Sequence, residues 1–82
     1  MKQVVIYSKP GCHLCEDAAA QLRRLQQAHL FELHEVNILS DPATFEKFKY
    51  DVPVVFIDSQ QTSERYFDAQ RFLVHLEERT DH

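Results

Sequence analysis

The sequence predicts a three-layer α/β fold, a four-stranded mixed sheet with helices on both faces, in the order β-α-β-α-β-β-α. Three observations carry this reading. Short β-branched runs alternate with stretches whose apolar residues recur at three- and four-residue spacing. A strand-helix-strand opening implies a right-handed parallel crossover. Two further strands before the last helix are close enough to form an antiparallel hairpin. The 82 residues, 44% of them hydrophobic, suffice for one core and one domain over 1–82.

Residues 3–7 form the first strand: Val4-Val5-Ile6-Tyr7 is a nearly continuous apolar run, as in a strand buried on both faces, and Ser8-Lys9-Pro10-Gly11 turns out of it. A helix over about 12–28 follows, with Cys15, Ala18, Ala19, Leu22 and Leu25 on one side and Glu16, Asp17, Arg23 and Arg24 on the other. Residues 30–38 read as the second strand, although Phe31 and Leu33 are out of phase with Val36 and Ile38. Asp41 is a natural N-cap and Pro42 a natural first residue for a short helix that ends near Lys49 and carries Phe45 and Phe48 toward the core. Val54 to Ile57 is the third strand, 58–63 its turn, and 64–67 a short fourth strand. Asp68 caps a last helix to about Arg79, with Ala69, Phe72, Leu73 and Leu76 on its inner face. The aromatic set Phe45, Phe48, Phe56 and Phe72 falls at core spacings.

The chain has two cysteines, and they stand as Cys12-His13-Leu14-Cys15 at the strand-to-helix junction. Residues at i and i+3 of a helix share a face with Cα atoms roughly 5 Å apart, inside the window a disulfide tolerates. The first turn of a helix also offers unpaired N–H groups and the positive end of the dipole, both favouring a thiolate. Cys12 is therefore the expected nucleophile and Cys15 the expected resolving thiol. The competing assignment is half a zinc site; it needs two more ligands, and His29, His34, His75 and His82 lack ligand spacing. No metal is expected.

His13, between the cysteines, is read as an exposed side chain that tunes a thiol. Lys9 either stabilises the Cys12 thiolate or is a solvated turn residue. Glu16 and Asp17 suit the start of a helix yet oppose thiolate formation by like-charge repulsion.

Thirteen acidic and nine basic residues give a net charge of −4, with the cations scattered. That disfavours nucleic acid and anionic membrane as partners. No leader or membrane span is expected, and the cytosol is the expected compartment. An isolated cysteine pair in a reducing compartment reads as catalytic or metal-binding, not as a staple.

A Cys-x-x-Cys at such a junction within this element order resembles the thioredoxin-like redox signature. The chain resembles the glutaredoxin branch, most closely small glutaredoxin-like proteins with a Pro-Gly-Cys-His-Leu-Cys motif. The resemblance covers nearly the whole chain and rests on Tyr7 to Cys15, on Val52-Pro53 and on Phe67-Asp68. It implies a cis proline at Pro53 lying against the dithiol, with the Val52 backbone pairing to substrate. It also assigns Lys9 and Asp68 to substrate binding, as counterparts of a glutathione-contacting lysine and aspartate.

The departures are informative. No tryptophan precedes Cys12, and His13-Leu14 replaces the Gly-Pro of thioredoxins. Asp51 stands where glutaredoxins carry threonine, and Tyr66-Phe67 where they carry two glycines. Bulky side chains where backbone approaches a ligand, and a carboxylate facing an anionic tripeptide, both argue against glutathione.

The resemblance and the dithiol together imply a thiol-disulfide oxidoreductase with no bound cofactor and glutathione as candidate co-substrate. Expected partners are a disulfide-bearing protein or small thiol, with a reductase or glutathione for recycling; the protein is expected to be monomeric. Two alternatives stand beside it: a redox-silent module docking a partner at the Pro53 groove, and a glutathione-assisted iron-sulfur carrier.

Overall fold

The computed structural model describes residues 1–77, and the strand and helix order is the expected one. Four strands, β1 (Lys2–Ser8), β2 (Phe31–Asn37), β3 (Val54–Ile57) and β4 (Gln60–Glu64), form one sheet in the order β2-β1-β3-β4. The helices are α1 (His13–Leu25), α2 (Pro42–Phe48) and α3 (Ala69–Glu77), with a 3₁₀ turn at Ile38–Ser40. β1 runs parallel to β2 and antiparallel to β3, and β4 is antiparallel to β3. The expected end of the last helix at Arg79, and His82, lie outside the described residues.

Alternation across β1 divides the core. Val4 and Ile6 align with Ile57 and Val55 of β3. They share one buried cluster with Ala18, Ala19 and Leu22 of α1 and with Phe72 and Leu76 of α3. On the other face Tyr7 aligns with Val54, and Val54 is buried with Ile38, Phe48, Val52 and Cys15. This division explains the broken phase of the second strand. Phe31 and Leu33 join the α1/α3 cluster, whereas Val36 sits opposite Tyr7 and Ile38 has already left the strand for the 3₁₀ turn.

Two elements differ from expectation by more than one residue. Cys12 is the N-cap of α1 and not its first residue, and the helix ends at Leu25 with turns continuing to Ala28. The fourth strand is Gln60–Glu64, not 64–67. Asp58 and Ser59, at φ 49° and 71°, form a two-residue left-handed turn, the geometry that matches the twist of a hairpin. Asp58 reinforces it by exchanging bonds with Gln3: its N–H donates to the Gln3 carbonyl at 2.8 Å and its Oδ1 accepts the Gln3 N–H at 2.9 Å. β4 is wholly polar because it is the sheet's edge, where polar residues blunt pairing with other chains.

The two shorter expectations hold. Asp41 caps α2, its Oδ2 accepting the Thr44 N–H at 3.3 Å, with Pro42 in the first turn. Lys49 closes α2 and donates to Glu46 Oε1 at 3.0 Å, a bond that raises its pKa above the usual lysine value. No helix among the described residues is long and apolar enough to cross a membrane.

Candidate functional site

After β1 the chain turns through Gly11, whose φ of 77° is available cheaply only without a Cβ. Cys12 follows in extended conformation, φ −101° and ψ 108°, and caps α1 with its own sulfur. Its Sγ accepts the Cys15 N–H at 3.1 Å while its carbonyl accepts the Glu16 N–H at 3.0 Å. A sulfur in this place takes the role that serine or aspartate oxygens play at other N-caps. A direct amide donor and the positive helix end both favour negative charge on it. The sulfurs lie 2.50 Å apart, near disulfide distance, with Cα atoms 5.2 Å apart. Cys12 is half-buried, whereas Cys15 is 2% exposed and belongs to the cluster with Ile38, Phe48, Val52 and Val54.

Beneath the pair, Tyr7, Phe48 and Phe56 form a ring cluster with centroids 4.9–6.1 Å apart. On the sheet's β2 side, Lys9, Cys15, Glu16, Arg23, Glu35 and Asn37 line a shallow pocket of about 240 Å³. Arg23 Nη1 and Glu35 Oε2 pair across it at 2.6 Å. Lys9 thus shares a pocket with Cys15, and Glu16 faces the same space. Asp17 is turned to Gln21, whose Nε2 it accepts at 2.8 Å. His13 is exposed. Among the described residues no three His, Cys, Asp or Glu side chains gather as a metal site.

The local charges give a direct test. Glu16→Gln/Asp17→Asn is expected to move the Cys12 thiolate titration to lower pH by at most about one unit, and Lys9→Gln to move it upward. Absorbance near 240 nm, read in proteins that also carry Cys15→Ser, makes the measurement; an unmoved curve would assign the tuning to the helix terminus or His13.

The peptide bond Val52-Pro53 is cis, as the resemblance implies. Both residues are buried, and Val52 joins the Cys15 cluster against which Cys12 also packs. Pairing of β3 with β4 starts only at Val54, opposite Glu64, so the Val52 backbone stands outside the ladder. Cys12, Cys15, Lys9 and Val52-Pro53 are therefore gathered at one end of the sheet.

Asp68 caps the last helix, as the sequence predicts. Its Oδ1 accepts the N–H groups of Gln70 and Arg71 at 2.9 and 3.3 Å, the geometry of an N-cap for α3. It lines a separate cavity of about 350 Å³ with Tyr66 and Arg71.

The replacement of the glycine pair looks different in three dimensions. Tyr66 is 73% exposed, while Phe67 packs on Phe72 with centroids 5.5 Å apart. The left-handed residue in this loop is Arg65, φ 62°, at the centre of a tight turn closed by Tyr66 N–H to Glu64 O at 2.7 Å. Such a conformation costs a residue with a Cβ about 1–2 kcal/mol. Arg65 Nη2 stands 3.7 Å from Asp51 Oδ1, so Asp51 is not the lone carboxylate the sequence implied. Nothing in the local sequence marks Arg65, a residue with a Cβ, for this backbone region.

Comparison with known proteins adds the following. A model described as Glutaredoxin-like domain (DUF836) matches residues 3–77. A solution structure of a protein from Nitrosomonas europaea is 30% identical, with TM-score 0.77 over 90% of this chain and 89% of that one. A crystal structure from X. campestris is 29% identical, with TM-score 0.69 over 89% and 93%. A Staphylococcus aureus protein described as of unknown function shares the fold at 15% identity and TM-score 0.62, over 92% and 87%. Among curated proteins none matches the chain.

Proposed function

Since the chain belongs to the glutaredoxin-like domain family, we propose that it is a small cytosolic thiol-disulfide oxidoreductase with Cys12 as nucleophile and Cys15 as resolving thiol. The observation that carries the reading is the Cys12 sulfur itself, half-buried at the N-cap of α1 and accepting the Cys15 amide at 3.1 Å. Cys15, one turn on and 2% exposed, is within bonding reach of it and almost wholly buried.

The Cys12 thiolate attacks one sulfur of a substrate disulfide. A Cys12–substrate bond forms, the substrate S–S bond breaks, and the leaving sulfur departs with the electron pair and is protonated. Cys15 then loses its proton and attacks the Cys12 sulfur, forming the internal disulfide and expelling the second substrate thiolate. The substrate gains two electrons and the protein loses them; an external thiol or reductase returns them. The helix terminus stabilises negative charge on Cys12 both as attacking and as leaving group.

Glutathione is the weaker partner in this reading. The loop before α3 has Arg65-Tyr66-Phe67 and no glycine through which a tripeptide backbone could approach. The protein is accordingly expected to reduce a disulfide-closed peptide when supplied with a dithiol, and to show little deglutathionylation in a coupled glutathione assay. A glutathione rate equal to or above the peptide rate would reverse that preference.

A further inference from the structure

The segment before β3 is held from across the sheet by one residue. The Arg65 N–H is shared between the carbonyls of Asp51 and Pro53, each at 2.9 Å. Its Nε donates to the Tyr50 carbonyl at 3.2 Å, and its Nη2 lies 3.7 Å from Asp51 Oδ1. From the other side the Asp51 N–H donates to the Phe48 carbonyl at 2.8 Å, tying the segment to the end of α2. We infer that Arg65 is a positioning residue for disulfide substrates: its guanidinium fixes Tyr50 and Asp51, and through them the Val52 backbone beside the dithiol. This rests on the thiol-disulfide reading above.

The backbone bonds alone do not need an arginine. Any residue supplies an N–H, and glycine would supply it at φ 62° without strain. An arginine in this conformation is useful for what its side chain adds, a planar fork that reaches a carbonyl with one nitrogen and a carboxylate with another. The ion pair is not a strong stabiliser, since its side chains are 56% and 37% exposed. Orientation is the effect left to it. Val52 is the residue most sensitive to that orientation, because it follows Asp51 directly, its side chain sits in the Cys15 cluster and its backbone precedes the β3–β4 ladder.

Arg65→Gly keeps the N–H and relieves the left-handed backbone while removing the whole side chain. Arg65→Met, which keeps the aliphatic stem and the backbone demand, removes the guanidinium alone and is expected to give the same result. With a fluorogenic peptide closed by one disulfide, Arg65→Gly is expected to raise KM roughly three- to tenfold, about the worth of one hydrogen bond. The kcat value and the rate of Cys12 alkylation by iodoacetamide stay within about twofold of the parent, and Arg65→Lys falls between. Hydrogen exchange of the Asp51 amide quickens while that of Leu22 in α1 does not. An unchanged KM, an unchanged Asp51 amide, or equal acceleration of the Asp51 and Leu22 amides would each overturn the inference. A parent protein that does not reduce the peptide would remove the redox reading, while the amide comparison would still decide whether the guanidinium holds the segment.

Discussion

Cys12→Ser protein is expected to lose disulfide exchange completely, and Cys15→Ser protein to accumulate a mixed disulfide with its substrate. The asymmetry follows from where each sulfur stands. Cys12 is half-buried, caps α1 and receives the Cys15 amide, so it alone combines access with stabilised negative charge. Serine can occupy the N-cap equally well, so the Cys12→Ser protein keeps its fold and lacks only the nucleophile. In Cys15→Ser the first attack proceeds, but no internal thiol remains to expel the bound substrate. Mass spectrometry of each variant after exposure to an excess of disulfide peptide reads the result. Turnover in Cys12→Ser, or a stable adduct on Cys15, would exchange or abolish the roles.

The second large effect is in the thiols' reactivity. In the reduced protein near neutral pH, Cys12 is expected to alkylate on the order of a hundredfold faster than Cys15. Thiolate fraction supplies part of this, because helix N-termini lower a cysteine pKa and apolar surroundings raise it. Access supplies the rest: Cys15 is 2% exposed among Ile38, Phe48, Val52 and Val54, so reagent reaches it only when the first turn of α1 opens locally. Quenched iodoacetamide time courses with peptide mapping separate the two sites. Equal rates would mean that the cluster around Cys15 is open in the reduced state.

The parts of the fold that were legible in the sequence are those with a burial period. Leu22 with Ala18 and Ala19, or Phe72 with Leu76, report a helix face because one side of each helix is covered. Val4 to Tyr7 reports a central strand, but only one of its faces is fully buried. Val4 and Ile6 are covered, whereas Val5 and Tyr7 on the other face are half-buried, so the strand is less enclosed than its continuous apolar run implies. β4 was displaced because an edge strand with polar residues on both faces carries no such period. Its turn, made by Asp58 and Ser59, also lacks the glycine that usually advertises this geometry.

The dithiol was legible because spacing along a helix is a local property, and the observed Cα separation of 5.2 Å is what that spacing implies. The cis bond at Pro53 came from the resemblance, since composition does not distinguish the isomers. Arg65 was illegible for the opposite reason to Cys12. Its partners Tyr50, Asp51 and Pro53 are 12 to 15 residues away in sequence, and the pairing exists only once β3 and β4 are side by side. Asp51 shows the consequence: read alone it repels an anionic ligand, whereas in the structure a guanidinium 3.7 Å away offsets its charge.

The central claim is that Cys12 and Cys15 form a reversible redox couple, and its most direct measurement is the midpoint potential. Purified protein is equilibrated in redox buffers of graded dithiol-to-disulfide ratio, acid-quenched, alkylated and resolved by mass into oxidised and reduced fractions. A two-electron transition centred between roughly −280 and −180 mV, the interval spanned by thioredoxins, glutaredoxins and disulfide isomerases, is the result predicted here. A pair that stays reduced across that whole interval, or forms only intermolecular disulfides, would contradict the account and leave the fold as a docking module.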